Sequence, residues 1–172
     1  MNLKAKIRNI PDFPQKGIIF RDIAPLLEDK KALQCAVRKL AGRFKGQKID
    51  KVVGIDARGF ILAGILADRL GAGMVMVRKK GKLPFETESE EFNLEYGKAI
   101  LEIHKDSIKA GDRVLLVDDV LATGGTMGAA AKLVEKLKGK IIGIAFLIIL
   151  DYISGREKLK NYNLISLVNY QE

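Results

Sequence analysis

Two adjacent carboxylates stand directly before a turn of small residues in the second half of the chain. The carboxylates are Asp118 and Asp119, and they follow an apolar run at 114–117. The turn consists of Ala122, Thr123, Gly124, Gly125 and Thr126. Glycines let a backbone approach an anion closely, threonines offer hydroxyl groups, and the N-terminus of the helix expected next adds positive potential. The turn is therefore typical of a phosphate site.

The paired carboxylates indicate what accompanies that phosphate. Ionised carboxylates repel a phosphate but accept hydrogen bonds from hydroxyl groups, and beside a phosphate the hydroxyl groups of a ribose are the natural partners. Asp118 and Asp119 also fall at the carboxyl end of a predicted strand, where open α/β sheets bind ligands. The stretch predicts a ribose 5-phosphate site rather than an ATP-binding P-loop, since no Lys follows the glycines. An ordinary strand–turn–helix with acids at the strand end is the plainer alternative.

Two further loops carry basic residues at the ends of predicted strands. Asp56, Ala57 and Arg58 follow the strand at 51–55, and Arg78 and Lys79 follow the strand at 74–77. A guanidinium beside helix N–H groups suits a pyrophosphate, although such a loop taken alone is more often an ordinary connection with a surface Arg. Because neighbouring parallel strands share their carboxyl edge, we expect the three loops to converge on one polyanion.

Alternating helix and strand patterns surround these loops. Apolar spacing predicts helices at 30–44, 59–70 and 126–138, and strands at 51–55, 74–77, 99–103, 114–117, 141–150 and 164–168. Residues 79–92 are polar and predict an irregular loop. The order of elements predicts an α/β fold with a mostly parallel twisted sheet and helices on both faces. We expect a single domain over 1–172, in which the segments 1–28 and 150–172 form a small cap.

Composition limits the cellular location and the classes of binding partner that we expect for this protein. The chain has 172 residues and a net charge of +9, but its few aromatics do not alternate with its basic residues, which disfavours nucleic acid as a partner. The sequence contains neither an apolar run of membrane-spanning length nor a signal-peptide pattern. Cys35 is the one cysteine, so no internal disulfide forms and a cytoplasmic location is predicted. The single histidine, His104, is interpreted as structural.

Seven segments resemble motifs of the adenine phosphoribosyltransferases, a family of type I phosphoribosyltransferases. They lie at 10–14, 17–23, 56–60, 78–84, 94–97, 114–126 and 155–159. The N-terminal motifs and the segment at 94–97 separate this family from relatives that use orotate, uracil or hypoxanthine. The resemblance implies a purine-salvage reaction in which adenine and phosphoribosyl pyrophosphate give AMP and pyrophosphate. It also implies Mg²⁺ carried on the substrate's phosphates, with no protein side chain expected as a metal ligand.

The resemblance assigns residues to each part of the substrates. It implies that the turn at 122–126 holds the 5-phosphate and that Asp118 and Asp119 hold the ribose hydroxyl groups. The residues implied for pyrophosphate are Asp56, Ala57, Arg58, Arg78, Lys79 and Lys82, with Lys82 reaching the partner subunit of a homodimer. The residues implied for adenine are Ile19, Phe20, Arg21 and Leu150, with the backbone of Ile19 and Arg21 contacting the base. A cis peptide bond between Asp56 and Ala57 is also implied.

Glu95 and Tyr96 are the remaining catalytic candidates, together with Arg58. The resemblance implies that the loop around Glu95 and Tyr96 closes over the site and excludes water, and that Glu95 handles the purine proton. From the sequence alone, a solvated loop acid is the more ordinary interpretation of Glu95. Only the resemblance favours a catalytic role.

Two residues depart from the family pattern. Phe85 stands where the family usually has Gly, which predicts a stiffer loop, and Ile149 stands where it usually has Glu, which removes a polar contact near the base pocket. Transfer to a different purine is therefore a second possible function. A third is a phosphoribosyl pyrophosphate sensor that binds nucleic acid, which salt-dependent binding to duplex DNA or RNA would support.

Overall fold

A seven-stranded sheet and a two-stranded ribbon make up the β-structure of residues 1–93 and 97–172, the parts of the chain that this computed structural model describes. The ribbon pairs β1 (Arg8–Pro11) with β2 (Ile19–Asp22). The sheet strands are β3 (Lys51–Ile55), β4 (Gly73–Lys79), β5 (Thr87–Asn93), β6 (Lys98–His104), β7 (Arg113–Leu121), β8 (Lys140–Leu150) and β9 (Leu164–Tyr170). The helices are α1 (Ala24–Glu28), α2 (Lys30–Gly42), α3 (Gly59–Leu70), α4 (Gly125–Lys136) and α5 (Gly155–Lys158), preceded by a 3-10 turn at Lys4–Lys6.

The sheet is mostly parallel. Its strand order is β5-β6-β4-β3-β7-β8-β9, and β4, β3, β7, β8 and β9 run parallel to their neighbours. Among the described strands, β6 alone runs in the opposite direction, since it pairs antiparallel with β4 on one side and with the edge strand β5 on the other. Parallel strands need crossover helices, which must cover the two faces of the sheet. The predicted α/β fold is therefore confirmed.

Two apolar cores lie on opposite faces of the sheet. One contains Leu62 and Leu66 of α3, and the other contains Leu133 and Val134 of α4. Alternate residues of the central strands divide between them, as period-two side chains must. Phe146 lies in the α4 core and Leu147 in the α3 core. None of the helices among the described residues has the length and apolar character needed to cross a bilayer.

The structure corrects the sequence-based elements in three places. The irregular loop predicted at 79–92 is wrong from Thr87 onward, because β5 pairs with β6 over its whole length. The strand predicted to end at Val117 continues to Leu121, because β8 supplies partners along this extension. In the segment expected to form part of the cap, β9 instead pairs with β8 at an edge of the main sheet.

Arg21 joins the ribbon to the end of the chain. Its Nη1 donates to Asn9 Oδ1 at 2.7 Å and its Nη2 donates to the backbone oxygen of Glu172 at 2.7 Å. The guanidinium also stacks over the Tyr170 ring at 3.8 Å. These contacts hold β2 beside the carboxyl edge of the sheet, where the ribbon overhangs the loops that follow β3 and β7.

Candidate functional site

A cavity of about 540 Å³ opens between the ribbon and the carboxyl edge of the sheet. Residues from four parts of the chain line it: Ile18, Ile19, Phe20 and Arg21 from the ribbon, Asp56, Ala57 and Arg58 after β3, Asp118, Asp119, Val120, Ala122 and Thr126 from β7 and the following turn, and Leu150 at the end of β8. The structure thus brings three separately predicted groups of residues to one place. Ile18 and Val120 are apolar lining residues that the sequence analysis missed, because no local pattern marked them.

Asp118 and Asp119 lie at the base of this cavity, inside β7 rather than after it. Asp119 is 5% exposed, and its Oδ2 lies 2.7 Å from Arg58 Nε. No donor hydrogen points at that oxygen within the described residues, so the pair is held by charge more than by a hydrogen bond. The backbone N–H of Asp119 donates to Asp118 Oδ1 at 2.9 Å.

Burial raises the pKa of both carboxyl groups. For Asp118, burial raises the pKa well above its usual value, and the neighbouring charge of Asp119 raises it further. For Asp119, burial raises the pKa while the Arg58 guanidinium opposes the rise. Removing water from a carboxylate disfavours its charged form. A ligand that returns hydrogen bonds or positive charge to this place is therefore favoured.

Gly59 lets α3 approach these carboxylates. A Cβ at Gly59 would lie 2.7 Å from Asp118 Oδ1 and 3.1 Å from the backbone oxygen of Val117. Any larger residue would force the first turn of α3 away from β7. The absence of a side chain keeps the start of this helix, and Arg58 just before it, within reach of the two acids.

The turn after β7 forms a second concavity beside the first, of about 90 Å³. Its lining residues include Ala122, Thr123, Gly124 and Thr126 from the predicted phosphate turn, together with Asp118. Gly124 is the N-cap of α4 and has a φ of 75°, a conformation that favours glycine. Gly125 follows as the first residue of the helix. The space is the size of a small anion and sits at a helix N-terminus.

The loop after β3 holds the predicted pyrophosphate residues Asp56, Ala57 and Arg58. The Asp56–Ala57 peptide bond is cis, as predicted. Asp56 Oδ2 lies 3.1 Å from Arg78 Nε, and Arg78 Nη1 donates to the backbone oxygen of Lys82 at 3.1 Å. Arg78 therefore contacts the rim of the cavity through Asp56, although it does not line it.

Lys79 and Lys82 lie outside the cavity lining. The turn between them is attached to the sheet, because Gly81 N–H donates at 2.9 Å to Oε2 of Glu102, a carboxylate that is 8% exposed. The structure thus places Arg78 next to Asp56, whereas neither Lys79 nor Lys82 lines the cavity. Their predicted contact with pyrophosphate remains a prediction.

The ribbon supplies an apolar wall opposite the acids. Phe20 packs edge-on against Phe13 at 5.2 Å, and the Arg58 guanidinium lies 5.0 Å from the centre of the Phe20 ring. Because the Arg21 side chain is committed to Asn9 and Glu172, its backbone is the part available to a ligand. Leu150 completes the wall from the sheet.

Ile149 and His104 both lie away from the cavity lining. Ile149 is 1% exposed and packs in the α4 core, so the structure places this departure from the family pattern inside the core. His104 contacts the exposed Phe85 ring edge-on at 6.2 Å. The structural interpretation of His104 stays a prediction.

Glu95 and Tyr96 lie outside the described residues. The strand that leads toward them does reach the site. A Cβ at Gly125 would lie 3.2 Å from the Phe92 ring and 3.3 Å from the backbone oxygen of Asn93. The end of β5 therefore packs directly against the phosphate turn.

The sequence and the fold both match proteins of one family. Residues 26–170 match the family model described as Phosphoribosyl transferase domain. The chain is 55% identical over 168 residues to an adenine phosphoribosyltransferase of Geobacter metallireducens, with 98% of each chain covered. It superposes on the crystal structure of adenine phosphoribosyltransferase from Thermoanaerobacter pseudethanolicus with a TM-score of 0.95, at 52% identity and 98% coverage of both chains. The Giardia lamblia enzyme complexed with 9-deazaadenine gives a TM-score of 0.93 at 41% identity, with 99% of this chain and 97% of that chain covered.

Proposed function

The chain belongs to the adenine phosphoribosyltransferase family, and we propose that its cavity transfers the phosphoribosyl group of phosphoribosyl pyrophosphate to adenine, giving AMP and pyrophosphate. One observation carries this proposal: Asp118 and Asp119 share a cavity with the phosphate turn, the Arg58 loop and the ribbon. Each part of the two substrates then has a chemically suitable neighbour. The 9-deazaadenine complex of the Giardia lamblia relative supports adenine as the base.

The substrate is proposed to lie across the two concavities. The 5-phosphate accepts hydrogen bonds from backbone N–H groups and hydroxyl groups of the turn at 122–126, and the ribose hydroxyl groups donate to Asp118 and Asp119. Arg58 lies beside Asp119, on the side where the Asp56–Ala57 loop would meet the pyrophosphate. Adenine fills the space between Phe20 and Leu150, with the backbone of Ile19 and Arg21 reading its edge.

Charge development explains how these residues would accelerate the reaction. Breaking the bond between C1 of the ribose and pyrophosphate leaves positive charge on the sugar and negative charge on the leaving group. The carboxylates of Asp118 and Asp119 stabilise the first, and Arg58 and the basic residues near Asp56 stabilise the second. The bond from adenine nitrogen to C1 then forms, and the purine proton leaves to a base, the role proposed for Glu95, while Tyr96 helps to exclude water.

We propose Mg²⁺ as the cofactor, bound mainly by substrate oxygens and water. Among the described residues, no group of three or more His, Cys, Asp or Glu side chains is placed to hold a metal ion, and an ion that arrives on the substrate's phosphates does not need one. Asp118 and Asp119 are the carboxylates best placed near the ribose. When bound, Mg²⁺ would neutralise charge on the leaving pyrophosphate.

We also propose that the protein works as a homodimer in the cytoplasm. Ile61, Met74 and Met76 are apolar and about two-fifths exposed. Met74 and Met76 point to the α3 side of the sheet, because Met74 pairs with Val52 of the α3 core and Met76 lies two residues further along β4. A second copy of the chain would cover this face and bring the partner's Lys82 toward the pyrophosphate. The buried free thiol of Cys35 suits a reducing compartment.

AMP formation from adenine, phosphoribosyl pyrophosphate and Mg²⁺ tests the proposed function. We expect turnover with adenine and little product when hypoxanthine or guanine replaces it. Omission of Mg²⁺ should abolish most of the activity. Preferred turnover of another purine would contradict the assignment of adenine, and strong salt-dependent binding to duplex DNA or RNA without turnover would contradict the assignment as an enzyme.

A further inference from the structure

The phosphate turn rests on a backbone outside the cavity. Gly155, the first residue of α5, packs directly against it, and a Cβ at Gly155 would lie 2.0 Å from the backbone oxygen of Ala122 and 3.1 Å from the backbone nitrogen of Gly124. In the other direction, a Cβ at Gly124 would lie 2.8 Å from the backbone oxygen of Gly155. Two glycines in contact allow the two backbones to meet without intervening side chains.

Asp151 and Arg156 hold the segment that presents Gly155. Asp151 Oδ1 pairs with Arg156 Nε at 2.5 Å, and Asp151 Oδ2 accepts hydrogen bonds from Asn169 Nδ2 and Gln171 Nε2, both at 2.9 Å. The Asp151 carboxylate is 14% exposed. Its backbone N–H donates to the oxygen of Tyr170 at 2.8 Å. The 151–156 segment is therefore attached to β9 at one end and closed on itself by the ion pair.

The 151–156 segment begins beside the part of the cavity in which adenine is proposed to lie. Asp151 directly follows Leu150, which lines the cavity, and Ile153 N–H donates to the oxygen of Leu150 at 3.0 Å. Gly155 N–H donates in turn to the oxygen of Ile153 at 2.8 Å. A displacement of Asp151 or Arg156 would thus be transmitted to Gly155 and from there to the phosphate turn.

We propose that the Asp151–Arg156 pair is a positioning pair for the reaction, which sets the phosphate turn in its binding conformation through Gly155. This inference rests on the proposed role of the 122–126 turn in holding the 5-phosphate. Neither side chain lines the two concavities at the site. Their effect is exerted on the backbone of Ala122 and Gly124, which sets the directions of the N–H groups that the turn offers to a phosphate.

Gly155→Ala is the most direct test, with Gly128→Ala as its matched control. Gly128 lies on α4, and a Cβ there meets nothing within 4 Å, whereas the Cβ at Gly155 meets backbone. We expect Gly155→Ala to weaken binding of ribose 5-phosphate by about tenfold or more and to raise KM for phosphoribosyl pyrophosphate. Gly128→Ala should leave both near wild type.

Arg156→Gln, Arg156→Lys and Asp151→Asn test the pair without a new clash at Gly155. We expect Arg156→Gln to raise KM for phosphoribosyl pyrophosphate several-fold with a smaller change in kcat, and Arg156→Lys to restore part of the loss, since it keeps the charge. Adenine binding should change less than ribose 5-phosphate binding. A merely structural role would instead lower the active fraction and leave the KM of the remaining enzyme unchanged.

Binding of ribose 5-phosphate is measured first on the wild type by isothermal titration calorimetry. This order distinguishes a failure of the proposed phosphate site from a failure of the proposed positioning pair. Wild-type protein that does not bind ribose 5-phosphate overturns the proposed phosphate site and this inference with it. Wild-type binding with unchanged affinity in folded Arg156→Gln and Asp151→Asn overturns the positioning pair alone. If Gly155→Ala does not fold, those two variants still decide the outcome.

Discussion

The carboxyl group of Asp118 is buried in the protein, beside the carboxyl group of Asp119. Burial raises the pKa of Asp118, and the neighbouring charge adds to the rise. The proposed chemistry nevertheless needs this group ionised, since only a carboxylate stabilises positive charge on the ribose. The ionised form of Asp118 therefore destabilises the folded protein at neutral pH. Hydrogen bonds from a bound substrate would offset that cost.

Asp118→Asn should separate the effect of this charge on folding stability from its effect on catalysis. Because the pKa of Asp118 is higher in the folded than in the unfolded protein, its ionisation destabilises the fold as pH rises above its unfolded value, 3.8. We expect the variant to gain stability relative to wild type at pH 7 and to lose that gain toward pH 4, while kcat falls on the order of 10²-fold.

Urea unfolding at several pH values and steady-state kinetics measure both effects. The exposed Asp106→Asn is the control, and it should change neither. A rise in KM alone, or lower stability of Asp118→Asn at pH 7, would contradict the electrostatic role of Asp118. In the wild type, kcat/KM should fall as pH is lowered, through an apparent pKa above that of an ordinary aspartate.

Glu95→Gln should cut turnover sharply while leaving the affinity for phosphoribosyl pyrophosphate nearly intact. The proposed role of Glu95 is to take the purine proton late in the cycle, whereas Asp118, Asp119 and the phosphate turn hold the substrate. Single-turnover kinetics measure the loss of turnover and equilibrium binding measures the substrate affinity. Glu86→Gln is the control at an exposed acid. Near-normal turnover with adenine would show that Glu95 has no proton role.

At the scale of the element, β5 differs most from what its residues predict. Four polar residues at 88–91 lack the apolar alternation of a half-buried strand. They are nevertheless held against α4, because Lys132 Nζ lies 2.9 Å and Lys136 Nζ 3.0 Å from the Glu90 carboxylate, and Lys136 Nζ also donates to the oxygen of Ser89 at 2.7 Å. Charge and backbone pairing thus replace apolar packing in this strand.

Glu90→Gln should destabilise the protein by about 1 kcal/mol more than Glu91→Gln. Glu90 is 15% exposed and pairs with two lysines, while Glu91 is 51% exposed and pairs with Lys98. The two lysines lower the pKa of Glu90, so its contribution is present above the unfolded value of 4.5 and is lost as pH falls through the lower folded value.

Thermal or urea unfolding at pH 7 and pH 4 measures this difference. The gap between Glu90→Gln and Glu91→Gln should be largest at pH 7 and should narrow in acid. Equal stability of the two variants at pH 7 would show that the lysine contacts contribute little and that pairing with β6 alone holds β5 in place.

At the scale of the whole molecule, the proposed homodimer makes a prediction about mixed active sites. Lys82→Ala and Asp118→Asn protomers should each be weakly active alone. If Lys82 acts in the partner's site, a mixed dimer contains one site with both residues intact, so mixing the two variants should restore about a quarter of wild-type activity. If Lys82 acts within its own protomer, every site lacks one residue and mixing restores nothing.

Met76→Glu provides the accompanying test of the interface. A carboxylate at this half-exposed position should convert the dimer to monomer in sedimentation velocity and lower activity, whereas Met76→Leu should keep both. An active wild-type monomer at assay concentrations would contradict the dimer. A dimer that survives Met76→Glu would place the interface on another face.

Local chemistry could be inferred from adjacent residues. The phosphate turn, the paired acids and the Arg58 loop each lie within a few consecutive positions, and each occurs where a strand passes into a helix. The alternation of strands and helices predicted the parallel sheet, because the connection of parallel strands requires it. The convergence of the loops followed from the shared carboxyl edge of the sheet, and the structure places Asp56, Arg58, Asp118 and Asp119 in one cavity.

By itself, then, the sequence determined the family, the parallel sheet and the residues whose types suit the sugar and the phosphates. Only the tertiary structure decided that β5 is a strand, that Ile149 lies in the core, and that Gly155 supports Ala122 and Gly124. These features depend on partners far away in the chain: Lys136 for β5, the α4 core for Ile149, and β9 for the segment before Gly155. Local sequence patterns indicate which secondary structure and which chemistry a residue favours. Packing between distant segments determines which residues it contacts in the folded protein.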